Sequence, residues 1–104
     1  MNMKLELIKE TMQGDRHALK ARFSLRRLAV FGSVARGTES ENSDVDILVE
    51  FDHTPGFDEF MDLKFYLEDL LGIRVDLVTT KAVRVSMKDA IEREAVNVGE
   101  YLSD

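Results

Sequence analysis

Three aspartates set out the chemistry open to this sequence. Asp44 and Asp46 stand one residue apart at the head of the apolar run "DVDILVEF", and Asp76 lies inside "RVDLVT", a run of the same style. In a strand, residues two apart share a face. Asp44 and Asp46 therefore point together, while Val45, Ile47 and Val49 point to the opposite, core-facing side. Val75 and Leu77 flank Asp76 in the same manner. If the two strands are neighbours, three carboxylates converge on one face of a sheet. Like charges so placed repel unless a cation sits among them. Hard divalent ions such as magnesium suit the purpose, since they take one or two carboxylates together with phosphates and waters. Two such ions about 4 Å apart stabilise both the attacking and the leaving oxygen of a displacement at phosphorus. The plain alternative is a loop end that solvates a sheet edge.

A second feature precedes the aspartates. Gly32-Ser33 closes the short apolar run "LAVF". Glycine lets the backbone come close to a ligand or adopt a positive φ. The N–H groups that follow, with the Ser33 hydroxyl and a helical turn over Ser33 to Arg36, make a phosphate cradle. Arg36, one turn on, meets a phosphate or braces the turn against the acidic strand. Gly-Ser alone is no signal; coupled to Asp-x-Asp at a fixed spacing it becomes one.

The remaining chain must position these groups. From Leu5 to Phe23 a helical spacing puts Ile8, Met12, Leu19 and Phe23 on one face, with Gly14-Asp15 as a place where the helix kinks or splits. Leu28 to Phe31 reads as a buried strand and Asp44 to Phe51 as a second. His53 to Gly56 is a loop by its proline and glycine. Phe57 to Gly72 is the clearest helix, with Phe60, Leu63, Leu67, Leu70 and Leu71 inward and Gly72 as its stop. Arg74 to Thr79 is a third strand, rich in β-branched residues. Ser86 caps a last helix running to about Val98, with Met87, Ile91, Ala95 and Val98 inward and Asp89 three residues after the cap. This order predicts an α/β or α+β domain of two layers, a small sheet covered by helices.

Bulk properties narrow the function. The 104 residues suit one domain, spanning 1–104. A net charge of −6 argues against a general DNA or RNA binder, which needs Lys and Arg to neutralise phosphates. It leaves room for a metal-bound nucleotide or a basic protein partner. No run approaches the roughly 20 apolar residues of a membrane span. The N-terminal "MNMKLELIKE" lacks the apolar core of a signal peptide. The absence of cysteine excludes disulfides and thiolate metal sites, and a cytoplasmic location is expected.

Other residues are read as structural. His17 and His53 show no metal-ligand spacing and are expected at the surface. Phe57, Phe60 and Phe65 are expected in the core and its flank, not as a platform for stacking bases. Glu50 shares a face with Asp46 but lies roughly 13 Å along the strand, so it is read as solvated. Arg26-Arg27 is read as a solvated pair ahead of a strand, and the five methionines as gap-filling.

Taken together, "GSVARGTESENSDVDILVEF" followed by "VDLVT" resembles the minimal nucleotidyltransferases of the DNA polymerase beta superfamily. Gly32, Ser33, Arg36, Gly37, Ser43, Asp44, Asp46 and Asp76 each occupy a matching position of that signature. The resemblance implies the polymerase beta-like fold, a small mixed sheet covered by helices. It also implies nucleotidyl transfer from a nucleoside triphosphate, with ATP as the expected donor. Gly32, Ser33 and Arg36 would hold the nucleotide, Ser33 and its adjacent backbone at the β- and γ-phosphates. Asp44 and Asp46 would bind two magnesium ions. Asp76 would bind the catalytic one and help deprotonate the incoming hydroxyl. Larger relatives carry a second domain for the acceptor, and this chain has no residues left for one. Minimal members are often encoded beside a helical HEPN-domain ribonuclease toxin. The resemblance thus implies an antitoxin that adds AMP to a tyrosine of its partner or masks it. The rival readings are a non-catalytic antitoxin acting by stoichiometric binding, and an Asp-x-Asp glycosyltransferase, for which the chain is too short.

Overall fold

The computed structural model describes residues 3–37, 44–82, 93 and 96–97. In chain order the elements are α1 (Met3–Gly14), α2 (Arg16–Phe23), β1 (Leu25–Phe31), α3 (Gly32–Arg36), β2 (Val45–Phe51), α4 (Phe57–Leu71), β3 (Val75–Thr79) and β4 (Val96–Asn97). They form a mixed sheet in the order β3-β2-β1-β4. β1 runs antiparallel to β2 and β4, whereas β2 and β3 are parallel. A parallel pair needs a long crossover, and α4 supplies it. The mixed α+β architecture expected from the order of elements is the one observed.

One core lies between the sheet and the helices. Ile8, Met12, Leu19 and Phe23 from α1 and α2, with Leu63 and Leu67 from α4, meet Leu28, Val30, Val45, Ile47, Val49, Val75 and Leu77 of the strands. The expected helical stripe is thus buried as one surface, although the helix breaks at Asp15. Gly14 is a poor interior residue, and Asp15 turns its carboxylate to the hydroxyl of Tyr66 at 2.5 Å. Tyr66 also meets Phe23 edge to face at 5.3 Å, which fixes the break against α4. On the sheet's other face Ala29 and Leu48 are buried beside Phe31.

Three expectations differ from the structure. β1 begins at Leu25, so Arg26 and Arg27 lie inside the strand and not before it. An irregularity between Leu25 and Arg27 interrupts the alternation that would have marked them. Phe57 and Phe65 are 77% and 52% exposed, so neither is core. The last helix, expected over Ser86 to Val98, falls mostly outside the described residues. Arg93 is helical, but Val96–Asn97 is a strand paired with Val30 and Ala29. Val96 suits a strand, and its pairing covers the edge of β1.

Candidate active site

The positions of the three aspartates follow from the register of β2 on β3. Asp46 pairs with Asp76, flanked by the pairs Val45–Val75 and Ile47–Leu77. Neighbouring strands are roughly 4.8 Å apart, so both carboxylates stand side by side on the face away from the core. The intervening Val45, Ile47, Val75 and Leu77 are buried, as the alternation requires. Asp44 is exposed and immediately precedes β2. It is held from the β3 side: Arg74 Nε approaches Asp44 Oδ1 at 3.4 Å, and the Val45 N–H donates to the Arg74 carbonyl at 3.0 Å.

The Gly-Ser turn reaches the same place by the other neighbour of β2. Phe31, the last residue of β1, pairs with Asp46, so Gly32 emerges beside that carboxylate. Gly32 has φ +74, and a Cβ built there would lie 2.9 Å from Asp46 Cγ. No side chain fits between turn and carboxylate, so glycine is required on two counts, backbone angle and space. Gly32 opens the five-residue α3, Ser33 is its second residue, and Gly37 ends it. The Arg36 side chain and Ser43 lie outside the described residues.

Asp76 is positioned from behind by a contact that motif reading passed over. Glu68 on α4 accepts from Lys64 Nζ at 2.8 Å and from the Val75 N–H at 3.0 Å. These two donors, the lysine first, hold the Glu68 carboxyl below its ordinary pKa. The bond ties the end of α4 to the residue before Asp76. Its only trace in the sequence is the Lys64–Glu68 spacing of four.

The donor set suits a hard divalent ion. All candidate ligands are carboxylate oxygens, and Asp46 and Asp76 share one register position. Among the described residues no three His, Cys, Asp or Glu side chains gather into a cluster of metal-ligand geometry. Magnesium does not need one, because it takes only one or two carboxylates and completes its shell with substrate phosphates and water. The arrangement can therefore hold a metal-bound triphosphate against the Gly32 turn.

A groove of about 550 Å³ lies elsewhere, at the far ends of β2 and β3, lined by residues that include Arg26, Glu50, His53, Phe57, Phe60 and Lys81. There His53 Nδ1 lies 2.8 Å from Asp52 Oδ1, and Nε2 lies 2.8 Å from Glu59 Oε1. The Asp52 bond first, then the Glu59 bond, raises the His53 pKa above 6.5. The groove lies at the opposite ends of β2 and β3 from Asp46 and Asp76.

Comparison with known proteins gives the same direction. Residues 16–98 match the family model described as Nucleotidyltransferase domain. The protein adenylyltransferase MntA of Thermococcus cleftensis is 43% identical over 94 residues, spanning 90% of this chain and 95% of the relative. A solved structure described as a candidate minimal nucleotidyltransferase is 41% identical, with a TM-score of 0.70, covering 85% of this chain and 93% of its own. A more distant structure, the MNT antitoxin in complex with a tri-AMPylated HEPN toxin of Shewanella oneidensis, shares 17% identity and a TM-score of 0.63 over 91% of this chain and 80% of its own. At that identity the likeness shows the fold.

Proposed function

This chain belongs to the nucleotidyltransferase domain family, and from that membership we propose that it is a protein adenylyltransferase acting in the cytoplasm as the antitoxin of a HEPN ribonuclease toxin. It moves AMP from ATP to a hydroxyl of that toxin. The observation that carries the reading is the register pair Asp46–Asp76 beside Gly32, in which two carboxylates and a glycine turn meet at the starts of three elements. The 43% identity to a protein adenylyltransferase over nearly the whole chain supports the choice of acceptor class.

In this reading Gly32 and Ser33 bind the β- and γ-phosphates, the Ser33 hydroxyl donating to an oxygen, and Arg36 adds charge to that end. Asp44, Asp46 and Asp76 would hold two magnesium ions, which would neutralise the phosphates and favour charge developing at the leaving oxygen. Asp76 takes the proton of the acceptor hydroxyl at its carboxylate. The hydroxyl oxygen bonds to the α-phosphorus as the bond to pyrophosphate breaks. A general base typically contributes about 10²- to 10⁴-fold to rate. Correct orientation of the hydroxyl contributes more, about 7 to 11 kcal/mol. A domain of this size has little surface left for that task, so the acceptor protein brings its own orientation.

Intact-mass spectrometry of the cognate HEPN toxin, incubated with this protein, ATP and magnesium, tests the reading. The toxin should gain AMP, and Asp76→Asn should abolish the gain. A toxin that is inhibited without gaining mass would assign the antitoxin role to stoichiometric binding instead.

A further inference from the structure

Helix α4 buries one side and leaves an apolar line on the other. Leu63 and Leu67 are buried, whereas Phe57 and Phe65 are exposed, with half-buried Met61 between them. The three positions recur every four residues and so form one line roughly 12 Å long. Exposed rings aligned in this way mark an interaction surface.

The two borders of the line differ. On one side Lys64 bonds to Glu68 and lies over the Phe65 ring at 5.5 Å, so that border is neutral. On the other run Asp58, Asp62 and Asp69, all exposed and none with a cationic partner among the described residues. The chain as a whole carries a net charge of −6. The uncompensated border selects the occupant. In a two-fold contact of α4 on α4, a second copy would set against it only another acidic border or the neutral Lys64–Glu68 border, and like charges across an interface are costly. A basic surface complements it.

We propose that the Phe57–Met61–Phe65 line of α4 docks a partner protein through an amphipathic helix whose apolar face is bordered by Lys or Arg. Helix-on-helix contacts read by anchors at this spacing are a recurrent mode of recognition. Identifying the partner as the acceptor toxin rests on the adenylyl-transfer reading. The docking surface adds where that acceptor is held. α4 covers the core face of the sheet, and the aspartates face the other way. A partner anchored on α4 reaches them around β3, an outer strand. Holding and reacting are thereby assigned to different faces.

The test measures affinity for the cognate toxin by calorimetry, using wild type, the pair Phe57→Ser with Phe65→Ser, and the pair Asp58→Lys with Asp62→Lys. All four substitutions are at exposed positions, and unchanged magnesium-ATP binding checks the fold. Each pair should weaken toxin binding by at least about 10-fold. The loss in the charge-reversed pair should shrink as salt is added. Wild-type affinity in both pairs overturns the proposal, as does loss of self-association in place of toxin binding. If both pairs bind and modify the toxin like wild type, docking on α4 is wrong while the transfer reading stands. If both weaken binding of a toxin that gains no AMP, docking stands and the transfer reading falls. A toxin that does not bind the wild type overturns both.

Discussion

At Gly32 the tolerance for substitution is set by a single neighbour. A Cβ there meets the Asp46 carboxylate and forces an L-residue into φ +74, a conformation costing about 1 to 2 kcal/mol. Gly32→Ala should therefore lower thermal stability and magnesium-ATP affinity together. Adding Asp46→Ala should restore part of the stability, because the obstacle is gone, and none of the activity. Asp46→Asn separates the roles differently, since it keeps the shape and removes the charge. Without magnesium its melting temperature should equal or exceed wild type; with magnesium-ATP, calorimetry should show binding weaker by at least about 10-fold. His53 offers a pH-dependent counterpart at the other end of the sheet. Its pKa is raised, so the stability it confers is complete below pH 6.5 and is lost as pH climbs through the folded-state value. Wild type should lose melting temperature relative to His53→Gln over that rise, and an NMR titration of the ring should place its midpoint above 6.5.

Between elements, the joint that matters is α4 against its neighbours. Tyr66→Phe keeps the edge-to-face contact with Phe23 but strands the Asp15 carboxylate. The loss should be about 1 kcal/mol, or roughly 4 to 8 °C in melting temperature for a domain of this size, with nucleotide binding intact. This contact also marks the limit of what was legible beforehand. The stripe of Ile8, Met12, Leu19 and Phe23 could be read from its spacing, because burial of an amphipathic face follows from periodicity. So could the alternation of β2, which sets Asp46 opposite to the buried Val45 and Ile47. The adjacency of Asp46 and Asp76 could only be posed as a condition, since register between strands 30 residues apart is settled by packing and not by local pattern. β1 was read three residues short because an irregular pairing hides Arg26 and Arg27 from any alternation rule. The exposure of Phe57 and Phe65 was missed because an aromatic residue on a helix looks like core until the sheet shows which side it covers.

For the molecule as a whole, the parallel pair β2–β3 has a mechanical meaning. Everything from Asp46 to Asp76, including the groove loop and all of α4, is one excursion of the chain that leaves the sheet and returns to the adjacent strand at the same level. A metal ion held by both carboxylates would pinch the neck of that excursion. It would act as a removable cross-link, whose release costs the chain no covalent bond and whose presence would shorten the list of open conformations. Magnesium-ATP at about 100 times its dissociation constant should stabilise the protein by about 2.7 kcal/mol. Hydrogen exchange should slow in α4 as well as at the aspartates, although α4 packs on the opposite face of the sheet, and a chelator should reverse both effects. Asp76→Asn should lose the slowing in α4 even where some nucleotide remains bound. On this view the helix offered to the partner is tightened each time the enzyme is loaded, and slackens when the pyrophosphate and metal depart.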